Sequence, residues 1–224
     1  MTNGIEGASF ERLRQYGSGR IFSDFELSRV AFTSSVLAQH DDPSFGLVVR
    51  DSVLRNCSFS ACTMAGVKLE NVTVDRASFS KSSISGCVFR NVTLRGKIGQ
   101  FILGGPVSSL SAEMFASFSS GMVDFYGDVD WALDIRDAVF ADATIRAVPG
   151  ELVLRDEERH FLLDRADRDA VLSLSDAPPL AKAYFRDFDL TPFDSMVAVA
   201  SQGSKTYEAQ LAGLRWLRER GLGK

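Results

Sequence analysis

The chain predicts a repeat fold, a solenoid of five-residue units followed by irregular and helical segments, on three observations. Stepping by five from Val49 meets Leu54, Phe59, Met64, Leu69, Val74, Phe79, Ile84, Phe89 and Leu94, an unbroken apolar frame. Two places earlier in each unit stand Leu47, Ser52, Cys57, Cys62, Val67, Val72, Ala77, Ser82, Cys87 and Val92, mostly small. The other three positions are largely Ser, Thr, Asn, Gly and charged residues, as turn and solvent-facing positions should be. At 45% hydrophobic composition, ten apolar residues in one fixed frame arise by chance with a frequency of about 0.0003. A helix, with its 3.6-residue repeat, would smear this period around its circumference, and a flat strand needs a period of two.

The units CSFSA, CTMAG, VKLEN, VTVDR, ASFSK, SSISG, CVFRN and VTLRG resemble the pentapeptide-repeat family, whose units place a small residue two before a central Leu or Phe. The resemblance implies a mainly β fold, a right-handed quadrilateral β-helix with four units per square coil. It covers residues 47–96 and extends over 20–37, where Phe22, Leu27, Phe32 and Leu37 keep the step. Residues 38–46 (AQHDDPSFG) break the frame and read as a loop thrown out from one corner. Four units per coil would stack residues twenty apart, and ENVTVDR at 70–76 and RNVTLRG at 90–96 share Asn, Val and Thr in order. Phe59 is therefore expected under Phe79, Met64 under Ile84, and Leu54 under Val74 and Leu94, with coils about 4.8 Å apart. The family often carries Asp or Asn before the central residue. Here that position holds Ser58, Thr63, Lys68, Thr73, Ser78, Ser83, Val88 and Thr93, a departure that leaves the subgroup unidentified.

Beyond Leu94 the frame dissolves. GKIGQFILGGP leads into VSSLSAEMFASFSSG, so residues 97–121 read as an irregular or helical insertion. Ile135, Phe140 and Ile145 regain the central step, predicting a second, degenerate β-helical block over 122–154. Residues 155–224 read as a helical cap or dimerisation segment. RDEERHFLLDRADRDAVLSLS suits a charged helix, or a helix after an extended stretch, with Pro178 and Pro179 ending it. Over 204–220, Ser204 is placed to cap, Tyr207, Leu211 and Leu214 form a stripe, and Gly221 stops the helix. Open solenoid ends need covering, so this helix and residues 1–19 are both expected to be caps. Trp216, off the stripe, is the candidate for a homodimer contact.

Length and charge bound the function. The 224 residues carry net charge −4, the apolar runs are short, and MTNGIEGASFERLR has no apolar leader region, so a cytoplasmic, bacterial-like protein that neither enters membranes nor binds nucleic acid directly is expected. Three cysteines without a CxxC pair suit a reducing compartment, and their inward positions make them small hydrophobes. His40 and His160 have no partner at metal-ligand spacing, and GSKT at 203–206 lacks the Gly-Lys pair of a phosphate loop. Neither catalytic residues nor a cofactor or metal site are expected, and an enzyme with a site in the C-terminal half is the remotest alternative. The Asn-Cys-Ser and Asn-Val-Thr triplets at Asn56, Asn71 and Asn91 read as corner residues rather than glycosylation sites.

Residues 19–103 hold ten basic against seven acidic side chains, while 104–224 hold thirteen against twenty. A solenoid spends its sequence on the inner ladder and leaves its faces and loops to bind other molecules. The predicted function is a non-catalytic scaffold that binds and modulates a protein partner. His40, Asp41, Asp42, Asp124, Asp128, Asp130, Asp134 and Trp216 are the candidate contact residues, and 38–46 and 97–121 the specificity elements. The family resemblance also implies an alternative, a dimeric mimic of duplex DNA acting on a type II topoisomerase such as DNA gyrase, which the basic balance of the best repeats disfavours.

Overall fold

The computed structural model describes residues 3–224. It is built on a coiled parallel sheet in which each strand pairs with the one a coil later. Ser58–Ser60 pairs with the stretch Ser78 to Ser80, Thr63–Ala65 with Ser83–Ser85, and Lys68 to Glu70 with Val88–Arg90, all at an offset of twenty residues. The local cause lies in the fifth residue of every unit. Ala61, Gly66, Asn71, Arg76, Lys81, Gly86, Asn91 and Gly96 all adopt positive φ, between 52° and 68°. Each such residue turns the chain through one corner, and Gly and Asn recur there because they enter the left-handed region at least cost. Asn91 also donates to Asn71 at 3.1 Å, and Asn71 to Asp51 at 2.8 Å, one above another at a corner.

The expected stacking is present. Phe59 and Phe79 lie with ring centroids 5.0 Å apart and planes 9° from parallel. Phe10, Phe32 and Phe59 continue the column below at 5.4 and 5.3 Å. Met64 pairs in register with Ile84, and Leu54 with Val74. Above, the strand Val92–Gly104 shifts register, with Val74 opposite Leu94 but Ala77 opposite Ile98. Phe101 thereby takes the next ring position, 5.8 Å from Phe79, and Phe140 follows at 5.9 Å. Gly99 permits the shift, because a Cβ there would stand 2.8 Å from the Phe79 amide nitrogen.

Three boundaries differ from expectation. Residues 3–16 are the first coil rather than a separate cap: Ser9–Glu11 and Arg14–Tyr16 pair in parallel with Ala31–Thr33 and Val36–Ala38. Its central position opposite Leu37 is taken by the polar Gln15, which breaks the apolar frame. Residues 97–104 remain strand, and the insertion proper contains a helix, α1, at Ala112–Tyr126. There is also no second β-helical block, because Leu133–Asp134 and Ala138–Ile145 pair in parallel with Val92–Gly104 and continue the same coils. The helix spans the gap between one rung and the next.

The coils are packed unevenly. Toward the C-terminal end Leu94, Ile98, Leu103, Leu133, Ile135 and Phe140 are buried almost completely, each contributing about 1.5–3 kcal/mol of transfer free energy. In the lower coils the inward Leu37, Leu54, Phe59, Met64, Phe79 and Ile84 are only partly buried. They border an axial lumen of about 450 Å³.

The C-terminal segment closes the upper end with its own small core. His160–Asp164 and Ser195–Val199 form an antiparallel pair, and Ile145 meets Val197 to join it to the solenoid. Helices α2 (Arg168–Ser173), α3 (Pro179–Arg186) and α4 (Tyr207–Glu219) pack Val171, Phe185, Leu211, Leu214 and Leu217 against Phe161 and Met196. Of the two readings of 155–175, the extended stretch followed by a helix is the one found. Pro179 opens α3 instead of only ending its predecessor, its fixed φ suiting the first helical turn. Ser204 does not cap α4 directly: Thr206 is the boundary residue, and its amide donates to Ser204 Oγ at 3.2 Å. Arg165 fastens the cap by donating to the carbonyls of Phe188, Thr191 and Phe193 at 2.7–2.9 Å. The GSKT segment is likewise structural, Gly203 donating to the Phe140 carbonyl at 2.8 Å.

Candidate interaction surface

The two departures from the repeat, the corner loop and α1, are packed against each other. Ser111 starts α1 by accepting from the Met114 amide at 3.2 Å, and Phe118, Met122 and Tyr126 form its buried stripe. Phe45 in the loop, itself buried at positive φ, meets Phe118 edge-on at 5.6 Å and Phe125 at 6.4 Å. Tyr126 locks the helix end, accepting from the Phe89 amide at 3.2 Å and donating to the Ala147 carbonyl at 3.0 Å. Burial pushes its phenol well above the ordinary range, so it stays a donor. Arg90 lies over the Phe125 ring at 5.3 Å, a cation–π contact that covers the joint.

The predicted contact residues fall into three groups. Asp42 is an internal organiser: its carboxylate accepts from the Ser44 side chain and from the amides of Ser44 and Gly46, both at 2.9 Å. Burial opposes its ionisation, but these hydrogen bonds outweigh that and hold its pKa below the usual value. Asp134 is similarly engaged, gripped by Arg136 through Nε at 3.0 Å and Nη2 at 2.7 Å, which lowers its pKa. His40 and Asp41 on the loop, and Asp124, Asp128 and Asp130 at the end of α1 and just after it, are exposed. Among the described residues no ion pair joins any of these four aspartates. Trp216 lies elsewhere, half-buried against the cap core with Arg220 stacked on its ring at 3.9 Å.

Sequence reasoning missed Phe115 and Val123, large apolar side chains of α1 that are 41% and 47% exposed. The Phe118–Met122–Tyr126 spacing could have identified the buried stripe and left these two outside it. The solenoid faces, by contrast, carry mixed charge. Arg95 bridges to Asp75 at 3.3 Å a coil away, and Arg55 and Arg29 pair with Glu26 and Glu6. The cysteines are free and sit at inward or corner positions, with burial raising the Cys87 thiol to about 12.

Gly121 tests the joint. A Cβ added there would stand 2.2 Å from the Pro43 carbonyl oxygen. Gly121→Ala is expected to cost about 1–3 kcal/mol and to expose residues 39–47 to limited proteolysis, while Ser120→Ala on the exposed side changes neither.

The coils and their left-handed corners define a parallel β-solenoid of short repeats. Residues 57–96 match the family model for pentapeptide repeats in eight copies, so this stretch of the solenoid is a run of pentapeptide repeats. In each of the eight matched units the fifth residue turns a corner, as Asp24, Arg29, Ser34, Asp51 and Asn56 do before them. No curated protein and no solved structure matches the chain. The family supports a repeat scaffold of a kind that often mediates protein interactions and is generally non-enzymatic. No helix among the described residues is long and apolar enough to cross a membrane.

Proposed function

We propose that this protein is a non-catalytic scaffold, wound in the right-handed quadrilateral manner the family implies, that binds and modulates a protein partner through the surface built by residues 39–47 and α1. The packing of Phe45 on Phe118 carries this reading, because it fuses two irregular segments into one rigid feature on an otherwise repetitive rod. Exposed Phe115 and Val123 supply apolar contact area, and unpaired Asp41, Asp124, Asp128 and Asp130 favour a partner with a basic face. Capture of partners by the tagged full chain from its native host should lose its main specific protein when Asp124, Asp128 and Asp130 are all changed to Lys, with circular dichroism unchanged. Identical capture by that folded variant would refute the surface assignment.

Mimicry of duplex DNA needs a continuous acidic face, and the alternating Arg–Asp and Arg–Glu pairs on the coils support it less. A gyrase supercoiling assay at excess protein separates the two readings, the scaffold reading expecting no inhibition. For a dimer through α4, Trp216 would be the contact. Its ring is already covered by Arg220 of the same chain, which favours a role within the cap.

A further inference from the structure

We propose that the axial lumen binds one long, unbranched fatty acid. This goes beyond the protein-binding function and does not rest on it. The lumen is a single cavity of about 450 Å³ bordered from Leu13 and Phe22 in the first coil to Phe101 in the fifth. Its surface is mostly apolar and comes chiefly from central-ladder side chains, with Phe59, Met64, Phe79 and Ile84 at mid-depth, while Ser35, Cys62, Thr63, Ser82 and Ser83 also border it. A cavity so lined repels water and takes up apolar molecules. Among the described residues one end is left uncovered, where Leu13 and Phe22 are 48% and 37% exposed. The other is blind, closed by Phe101 at 3% exposure and by Phe140 above it at 1%.

Shape selects the ligand. Four coil spacings of about 4.8 Å give a depth of roughly 19 Å. An extended alkyl chain, with C–C bonds near 1.52 Å, advances about 1.25 Å per carbon, so about fifteen carbons reach the blind end. A straight tube walled by stacked rungs takes a linear chain and rejects a fused ring system. Arg14 and Gln15 border the open end, where a carboxylate would remain in contact with water.

Calorimetry of the full chain with saturated fatty acids of about eight to twenty carbons tests the proposal. One chain per protein is expected, with affinity rising about fourfold per methylene and levelling near fifteen carbons. Ile84→Phe, which narrows the tube halfway down, should weaken palmitate at least tenfold and octanoate much less, whereas Glu208→Ala on the exposed side of α4 changes neither. Met64→Phe provides the same obstruction should Ile84→Phe not fold. The proposal is overturned by absence of saturable uptake, by several chains per protein, by affinity that keeps rising to twenty carbons, or by unchanged palmitate binding in a folded obstructed variant.

Discussion

Replacing Phe79 by alanine is expected to lower the free energy of unfolding by about 3–5 kcal/mol, the range for deleting a core phenylalanine. The ring is stacked on Phe59 at 5.0 Å and touches Phe101 edge-on at 5.8 Å, so its removal cuts the aromatic column at its middle. Aromatic contacts of this kind contribute about 0.5–1.5 kcal/mol each beyond buried area. Because the wall already borders a lumen, little collapse can refill the site. Phe10→Ala should cost much less, about 1 kcal/mol, since the terminal coil offers one stacking neighbour, Phe32, at 5.4 Å. Phe79→Leu should fall between them, at about 1.5 kcal/mol. Urea unfolding of the three variants decides the matter. Equal losses from Phe10→Ala and Phe79→Ala would mean that the rings do not act as a column.

The column could be read in advance because a solenoid writes its three-dimensional neighbours into one dimension. Phe59 and Phe79 touch because they are twenty residues apart, four corners of five. That relation holds wherever each fifth residue turns the chain. It failed where the corner spacing changed. Gly17 and Gly19 both take positive φ and add two residues to the first coil, so Phe10 stacks on Phe32 at a spacing of twenty-two. Past Leu94 the shift around Gly99 moved the ring position to Phe101, which no fixed frame contains. The strands there are nevertheless part of the same sheet.

The candidate surface was readable only in part. That residues 38–46 leave the frame follows from period alone. That Phe45 then packs on Phe118 does not, because a contact across 73 residues between two insertions obeys no repeat. The acidic residues show the same limit. Asp134 and Asp128 look alike in sequence, but Arg136 two residues on engages the first through two nitrogens, and the second has no such neighbour. Composition located the acidic segment, and short-range geometry decided which carboxylates remain available.

His160 gives the fold a distinct weakness to acid. Its side chain is 1% exposed beneath the cap, edge-on to Phe140 at 6.4 Å, with Nδ1 accepting from the Asp156 amide at 3.3 Å. Burial, aided by Arg159 and Arg155 and opposed by the Asp156 carboxylate, drives its pKa from 6.5 down to about 4. Above pH 6.5 the imidazole is neutral in both folded and unfolded chains and the full stability is present. As pH falls below 6.5 the unfolded chain takes up a proton that the folded chain refuses until about pH 4, so stability drops across that window and levels below it. At 1.36 kcal/mol per unit, the loss amounts to about 3 kcal/mol. The carboxylates with lowered pKa, Asp42, Asp134 and Asp156, act in a separate range. Their stabilisation is present above 3.8 and is lost as pH falls through their lower folded values. His160→Asn, which offers an acceptor to the Asp156 amide without the titration, should therefore flatten the stability profile between pH 6.5 and 4 and leave the steeper acid limb below it. Urea midpoints followed by tryptophan fluorescence across this range provide the measurement, and a variant whose profile still falls by the full amount would show that another group is responsible.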